Sequence, residues 1–223
     1  MPLIRYLGVC DVSDSKPAAL GVLISGRGSN LQALINAATG DEDLGAPIRV
    51  VISNRATAPG LDYARAAGIE ALTMPHQGAP DRSSYDRALV LALRARGVTL
   101  VCLAGFMRLL GPDFCAAFPD AVLNIHPSLL PSFPGVDAQA QAIRHGVKVT
   151  GATVHFVTPE LDAGPIVAQQ VVPVADADDA ETLSRKILAV EHRLYPEAVR
   201  RVLAGGWQIT ERRVVFSGSA VTP

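Results

Sequence analysis

Asn124, His126 and Asp162 are the residues of this chain whose types and spacing best suit chemistry. Asn124-Ile125-His126 offers an amide donor and an imidazole that carries a proton near neutral pH. Asp162 follows 36 positions after His126, in Leu161-Asp162-Ala163-Gly164-Pro165, and supplies a carboxylate able to orient and charge that imidazole. An amide, an imidazole and a carboxylate together suit transfer of an acyl or formyl group, where an oxyanion develops and a proton moves. On its own, a histidine at this point reads as a hydrogen-bonded structural residue. Asn124 and Asp162 turn the reading toward catalysis.

A second constellation is Gly26-Arg27-Gly28-Ser29-Asn30, between the first strand and the first helix. Unpaired backbone N–H groups and the helix macrodipole favour an anion there. Gly26 and Gly28 let the backbone approach a phosphate, and Ser29 is placed to cap the helix or donate a hydroxyl hydrogen bond. The plain alternative is a tight turn with a serine cap. Leu31 stands where a dinucleotide fingerprint has its third glycine, and the second strand ends in Ser53-Asn54-Arg55, without an acidic residue to hold a ribose. A nicotinamide dehydrogenase is therefore disfavoured.

The elements that must position these groups alternate along the chain. Strands are expected over 19–25, 48–53, 71–74 and 99–103, with helices over 31–38, 61–67 and 84–96 between them. Short apolar strands alternating with helices imply parallel pairing with right-handed crossovers, a Rossmann-like half. A strand over 121–125 then delivers Asn124 and His126 to its carboxyl end, where open α/β sheets bind ligands. Pro127, Pro131, Pro134 and Gly135 force a long loop, and a helix over 138–144 ends at His145-Gly146, a C-cap signal. Strands over 149–157 and 166–174 flank the Asp162 loop, a helix runs from about 180 to 203 until Gly205-Gly206, and 207–216 reads as a final strand or hairpin. The expected fold is α/β, a single Rossmann-like domain over 19–216 with a mostly parallel central sheet flanked by helices. Residues 1–18, with a polar breaker cluster from Asp11 to Pro17, read as a loose N-terminal extension, and 217–223 as a C-terminal tail.

Composition narrows the partners. With 223 residues, 49% hydrophobic and 18% charged against roughly 25% in ordinary domains, the chain can bury a sizeable core. A net charge of -1 and a pI near 6.5 argue against a nucleic-acid platform, so the partners are small-molecule substrates. No run of 18 apolar residues and no apolar leader are readable, which excludes a spanning helix and makes the cytoplasm the expected compartment. Cys10, Cys102 and Cys115 lie far apart without a C-x-x-C pair, so neither a zinc motif nor a disulfide framework is expected, and Cys102 reads as core.

Four ordered stretches carry a resemblance: Leu23-Ile24-Ser25-Gly26-Arg27-Gly28-Ser29-Asn30, Leu103 to Leu110, Asn124-Ile125-His126-Pro127-Ser128-Leu129-Leu130-Pro131, and Gly151 to Val157 running on to Pro165. Together they resemble the folate-dependent formyltransferases, most closely the glycinamide ribonucleotide transformylase family. The resemblance implies transfer of the formyl group of 10-formyltetrahydrofolate, as co-substrate and without a metal, to the amine of 5-phosphoribosylglycinamide in purine synthesis, by a monomer or homodimer. It places Gly28, Ser29 and Asn30 on the phosphoribosyl substrate and Glu191 on its ribose. It places Arg82, Met107, Arg108, Leu109, Leu110 and Asn124 at the formyl-folate site, and it implies a cis peptide at Leu130-Pro131. Main-chain groups at 107–110 can read the donor–acceptor edge of a pterin, with Met and Leu as apolar walls. The plain alternatives are that Met107 and Leu109 are core, Arg82 is a surface residue at a helix N-terminus, and Glu191 lies on a solvated helix face.

In the implied mechanism the amine attacks the formyl carbon, Asn124 and protonated His126 stabilise the oxyanion, and His126 moves a proton directly or through water. Asp162 charges and orients His126. Ser128 follows His126-Pro127 in a stiff loop and reads as a turn hydroxyl, not a nucleophile. The chain departs from the family pattern at Val136 and Asp137, where a histidine-containing continuation is common, at Ala163, where many relatives have glycine, and at Pro159, where an acidic residue is usual. A 10-formyltetrahydrofolate hydrolase would share the fold and the trio. Such relatives carry an additional N-terminal regulatory domain, which eighteen residues before the first strand cannot make. A methionyl-tRNA formyltransferase would need a further RNA-binding domain or a basic surface, and a non-catalytic nucleotide-binding module would leave the trio unexplained.

Overall fold

The computed structural model describes residues 17–40 and 43–217. Most of the expected N-terminal extension, including Cys10, and residues 218–223 of the expected tail lie outside the described residues.

The first five strands are β1 (Leu20–Ile24), β2 (Ile48–Ser53), β3 (Glu70–Thr73), β4 (Leu100–Leu103) and β5 (Val122–His126), all parallel to one another. Between them come α1 (Ser29–Thr39), α2 (Gly60–Ala66), α3 (Arg82–Arg94) and α4 (Pro112–Ala117). The chain continues as α5 (Ala138–His145), β6 (Val149–Phe156), β7 (Ile166–Pro173), α6 (Ala180–Leu203) and a hairpin of β8 (Trp207–Thr210) and β9 (Arg213–Phe216). Nine strands among the described residues form one sheet in the order β3-β2-β1-β4-β5-β6-β7-β9-β8.

Every expected strand and helix is present, with ends displaced by up to two residues. The short helix α4 was not expected from the sequence. Its six residues are too few for a 3.6-residue period to show, and its local signals are Pro112, at a position proline favours, and Asp113 in the first turn. β6 runs antiparallel to both β5 and β7, so the parallel pattern is broken where the trio is assembled.

Alternation within each strand sorts side chains to two faces. Leu20, Val22 and Ile24 of β1 pack with Leu31, Leu34, Leu61, Leu183 and Ile187 from α1, α2 and α6, whereas Leu23 faces a second cluster with Tyr85, Leu89, Leu93 and Phe114 of α3 and α4. Both faces of the central strands are thereby buried, as a parallel sheet requires. The chain moves outward from β1 to β3 and returns on the other side of β1 to β4, so the strand order reverses between β1 and β4. That is the switch point at which α/β sheets bind ligands. Its two loops are Ser25 to Gly28 and Ala104 to Gly111.

Candidate active site

At the β1–α1 loop, Gly28 has φ 78° and is the N-cap of α1. A side chain there would be strained and would press on Gly60 Cα, 2.6 Å from where its Cβ would sit. The cap is therefore Gly28, and Ser29 is the first helical residue. No side chain caps α1. Of the two roles open to Ser29, capping the helix is thereby excluded, and it lies beside first-turn amides that lack helical partners.

Asn30 joins this loop to α6. Its Nδ2 donates to Glu191 Oε2 at 2.8 Å, while its Oδ1 is buried without a partner among the described residues. Glu191 is only 5% exposed, so it does not lie on a solvated face; burial pushes its pKa from 4.5 up to about 7, against the lowering effect of the Asn30 bond. One turn later, the fully buried Tyr195 donates its hydroxyl to Leu103 O or Leu123 O, each at 3.0 Å, tying α6 to the ends of β4 and β5. Sequence reasoning missed this anchor, because a tyrosine in an amphipathic helix carries no signal of its partner.

In the β4–α4 loop, Met107 and Leu109 are 60% and 52% exposed, which excludes the core reading for both. Phe106 and Leu110 are buried instead. Arg82 does sit at the start of α3, yet its Nη2 donates to Leu110 O at 3.0 Å, bringing its head to this loop. Arg108 is exposed.

The trio meets across β5, β6 and the β6–β7 loop. His126 Nδ1 lies 3.4 Å from Asp162 Oδ2, and its Nε2 lies 2.9 Å from the acceptor Phe133 O. Asp162 Oδ2 also accepts from Gly135 N at 2.7 Å. Asp162 holds φ 49° and Phe133 φ 54°, sparsely populated values for residues with side chains. Gly164 permits the turn, since a Cβ there would run into the Phe156 carbonyl.

His155 is the functional neighbour that sequence reasoning did not single out. It pairs directly with Asn124 across the antiparallel β5–β6 register. Its Nδ1 faces Phe156 O at 2.9 Å and so carries the proton, leaving Nε2 to accept from Asn124 Nδ2 at 3.1 Å. His155 Nε2 is also 3.7 Å from Asp162 Oδ1. Burial pushes the His155 pKa down, favouring this neutral form over the opposing effects of Phe156 O and Asp162. Its position in Gly151 to Val157 marked it as part of a motif, but only strand register identifies its partner.

The loop after His126 is held from behind. Thr153 Oγ1 donates to Ser128 O at 2.7 Å and accepts from Leu130 N at 3.0 Å, and Gln169 Nε2 donates to Leu130 O at 2.9 Å. Ser128 Oγ donates to Ser132 O at 2.5 Å, the turn role expected of it, and Leu130-Pro131 is cis. Of the departures from the family pattern, Val136 and Pro159 are exposed, Asp137 begins α5 with φ 56° and no cap bond, and Ala163 O accepts from Arg212 Nη2 at 2.9 Å. Cys102 is buried in β4. Among the described residues, no group of three or more His, Cys, Asp or Glu could hold a metal ion, and no helix is long and apolar enough to cross a membrane.

A formyl transferase family model matches residues 19–199, which contain every side chain of this site. The chain belongs to the formyl transferase family. It is 40% identical over 202 residues to phosphoribosylglycinamide formyltransferase of Escherichia coli, covering 91% of this chain and 95% of that one. It is 46% identical over 198 residues to the human trifunctional purine biosynthetic protein adenosine-3, and there the match covers 89% of this chain but only 20% of the human protein. Among solved structures, glycinamide ribonucleotide transformylase 1 from Symbiobacterium toebii superposes with a TM-score of 0.87 at 52% identity, covering 89% of this chain and 93% of that one. A formyltetrahydrofolate deformylase from Pseudomonas syringae superposes with a TM-score of 0.83 at 30% identity, covering 91% of this chain and 66% of that one. This family's fold therefore serves both a transferase and a deformylase.

Proposed function

We propose that this chain transfers the formyl group of 10-formyltetrahydrofolate to the amine of 5-phosphoribosylglycinamide, a step of purine synthesis in the cytoplasm. The observation that carries the reading is the meeting of Asn124, His126 and Asp162 at the carboxyl edge of the sheet, beside the switch point. The names of the relatives that match along nearly their whole length support the acceptor.

In this reaction the acceptor amine attacks the formyl carbon, the bond from that carbon to N10 breaks, and the proton lost by the amine is gained by N10. One Nδ2 proton of Asn124 is used by His155, which leaves the second to meet the developing oxyanion. His126 faces an acceptor at each ring nitrogen, Phe133 O at Nε2 and Asp162 Oδ2 at Nδ1. For His126 to reach the oxyanion or relay the proton, directly or through water, its Nε2 exchanges Phe133 O for the reacting groups, while Asp162 at Nδ1 orients the ring.

The binding assignments follow the same geometry. First-turn amides of α1 with Gly28 and Ser29 take the phosphate. Asn30 and Glu191 take the ribose, and the unpartnered Asn30 Oδ1 suits a hydroxyl donor. The loop of exposed Met107, Arg108 and Leu109 and buried Leu110 receives the pterin between apolar side chains and main-chain groups, with Arg82 beside it for a carboxylate.

The test is product accounting with 10-formyltetrahydrofolate, with and without the ribonucleotide. One formylated ribonucleotide for each tetrahydrofolate released, and little formate without acceptor, is the expected outcome, because a positioned amine outcompetes water. Rapid formate release that ignores the ribonucleotide would reject transfer and make this chain a hydrolase.

A further inference from the structure

Ser25 follows directly on β1 at the point where the strand order reverses, and its amide donates to Gly105 O at 3.0 Å. Its side chain is nearly inaccessible. Ser25 Oγ donates to Asn54 Oδ1 at 2.6 Å and accepts from Met107 N at 2.8 Å. Asn54, buried after the end of β2, turns its Nδ2 toward His76 Nδ1 at 3.4 Å.

The chain of bonds has one direction. The single Ser25 hydroxyl proton goes to Asn54, so a lone pair is left for the Met107 amide. The Asn54 oxygen is thereby assigned to Ser25 and its nitrogen to His76, whose Nδ1 is the acceptor. The far end of the same loop is pinned too: buried Asp86 Oδ2 accepts from Gly111 N at 2.6 Å, and Arg82 holds Leu110 O. Between these pins Met107 and Leu109 expose apolar side chains to solvent.

A hydroxyl and an amide buried side by side cost desolvation that their hydrogen bonds only offset, and an apolar pair of the same shape would fill the space as well. What these groups add is a fixed main chain at Met107. We propose that Ser25, Asn54 and His76 are positioning residues of the formyl-donor subsite, holding the Met107 backbone where it meets the pterin edge. The proposal rests on the assignment of Met107 to Leu110 to the formyl donor. A pre-ordered loop raises affinity because its ordering is not charged against binding.

The test compares Ser25→Ala, Asn54→Ala and His76→Ala in the full chain. Readouts are kcat, separate KM values for 10-formyltetrahydrofolate and the ribonucleotide, and hydrogen exchange at the Met107 amide. The donor KM should rise about tenfold for Ser25→Ala, which leaves both Asn54 and Met107 unpaired, about threefold for Asn54→Ala and under about twofold for His76→Ala. The ribonucleotide KM should move less than the donor KM in each, and Met107 exchange should quicken in the same order. Equal rises in both KM values, or faster exchange with an unchanged donor KM, would overturn the proposal. Should Ser25→Ala not fold, Asn54→Ala decides, and an unchanged donor KM there rejects the clamp. Leu109→Asp separates the two readings: an unchanged donor KM removes the donor from this loop, whereas a raised one beside an unaffected Ser25→Ala removes only the clamp.

Discussion

Between β1 and β4 the carboxyl edge of the sheet offers chiefly main chain: glycine-permitted turns, the first amides of α1 and a pinned loop that exposes Met107, Arg108 and Leu109. Between β5 and β7 it offers side chains, with Asn124, His126, His155 and Asp162 in one connected cluster. The parallel half delivers loops to one edge, since every strand there points the same way. The antiparallel insertion of β6 sets residues far apart in sequence directly opposite one another, as Asn124 and His155 are. Binding is assigned to the first region and proton and charge chemistry to the second, and substitutions can test that division.

The largest effect belongs to the side-chain cluster. His126→Ala and Asp162→Asn should each lower kcat by about a hundredfold or more, with little change in the ribonucleotide KM. Asn30→Ala should do the reverse and raise that KM about tenfold. Steady-state kinetics on the three variants would break the division if Asn30→Ala lost turnover as heavily as the cluster variants. His155→Phe sharpens it. Removing the acceptor of Asn124 Nδ2 without touching substrate should lower kcat about tenfold, and unaltered turnover would show that Asn124 is oriented by other contacts.

Glu191 tests the binding half through pH. Its folded pKa, about 7, lies above the ordinary 4.5. The folded state thus keeps a proton that the unfolded state releases, and this contribution is full below pH 4.5 and lost as pH rises through 7. Glu191→Gln, neutral at every pH, should therefore gain stability over the parent by up to about 3 kcal/mol at pH 8 and by much less at pH 5. Thermal melts at both values check it; a gap that does not widen with pH contradicts the buried carboxyl. The smallest effect is expected at Arg212, an exposed residue whose guanidinium holds Ala163 O beside Asp162. Arg212→Ala should lower kcat about twofold, and a loss as large as that of Asp162→Asn would move the C-terminal hairpin into the catalytic cluster.

The legible parts of this protein were those whose cause is local. Apolar strands alternating with helices announced the parallel sheet, and Gly26-Arg27-Gly28 announced a tight turn between the first strand and the first helix. Asn124 and His126, two apart on a strand, had to share a face. His155 and Tyr195 were hidden because their partners are fixed by pairing register and by the docking of α6, which depend on every strand and helix between them. The same holds for Arg82, whose local sequence marks a helix start and whose head is claimed by Leu110 O from another loop.

The sequence by itself therefore determined the class of fold, the glycine turn after β1 and the placing of Asn124 and His126 on one face of a strand, since periodicity, backbone sterics and side-chain direction are properties of neighbouring residues. Only the tertiary structure decided which partners orient those groups: His155 behind Asn124, Phe133 and Asp162 on either side of His126, and Glu191 beneath Asn30. The physical reason is that hydrogen-bond direction and burial are set where distant segments meet. No short stretch of chain contains both sides of that contact.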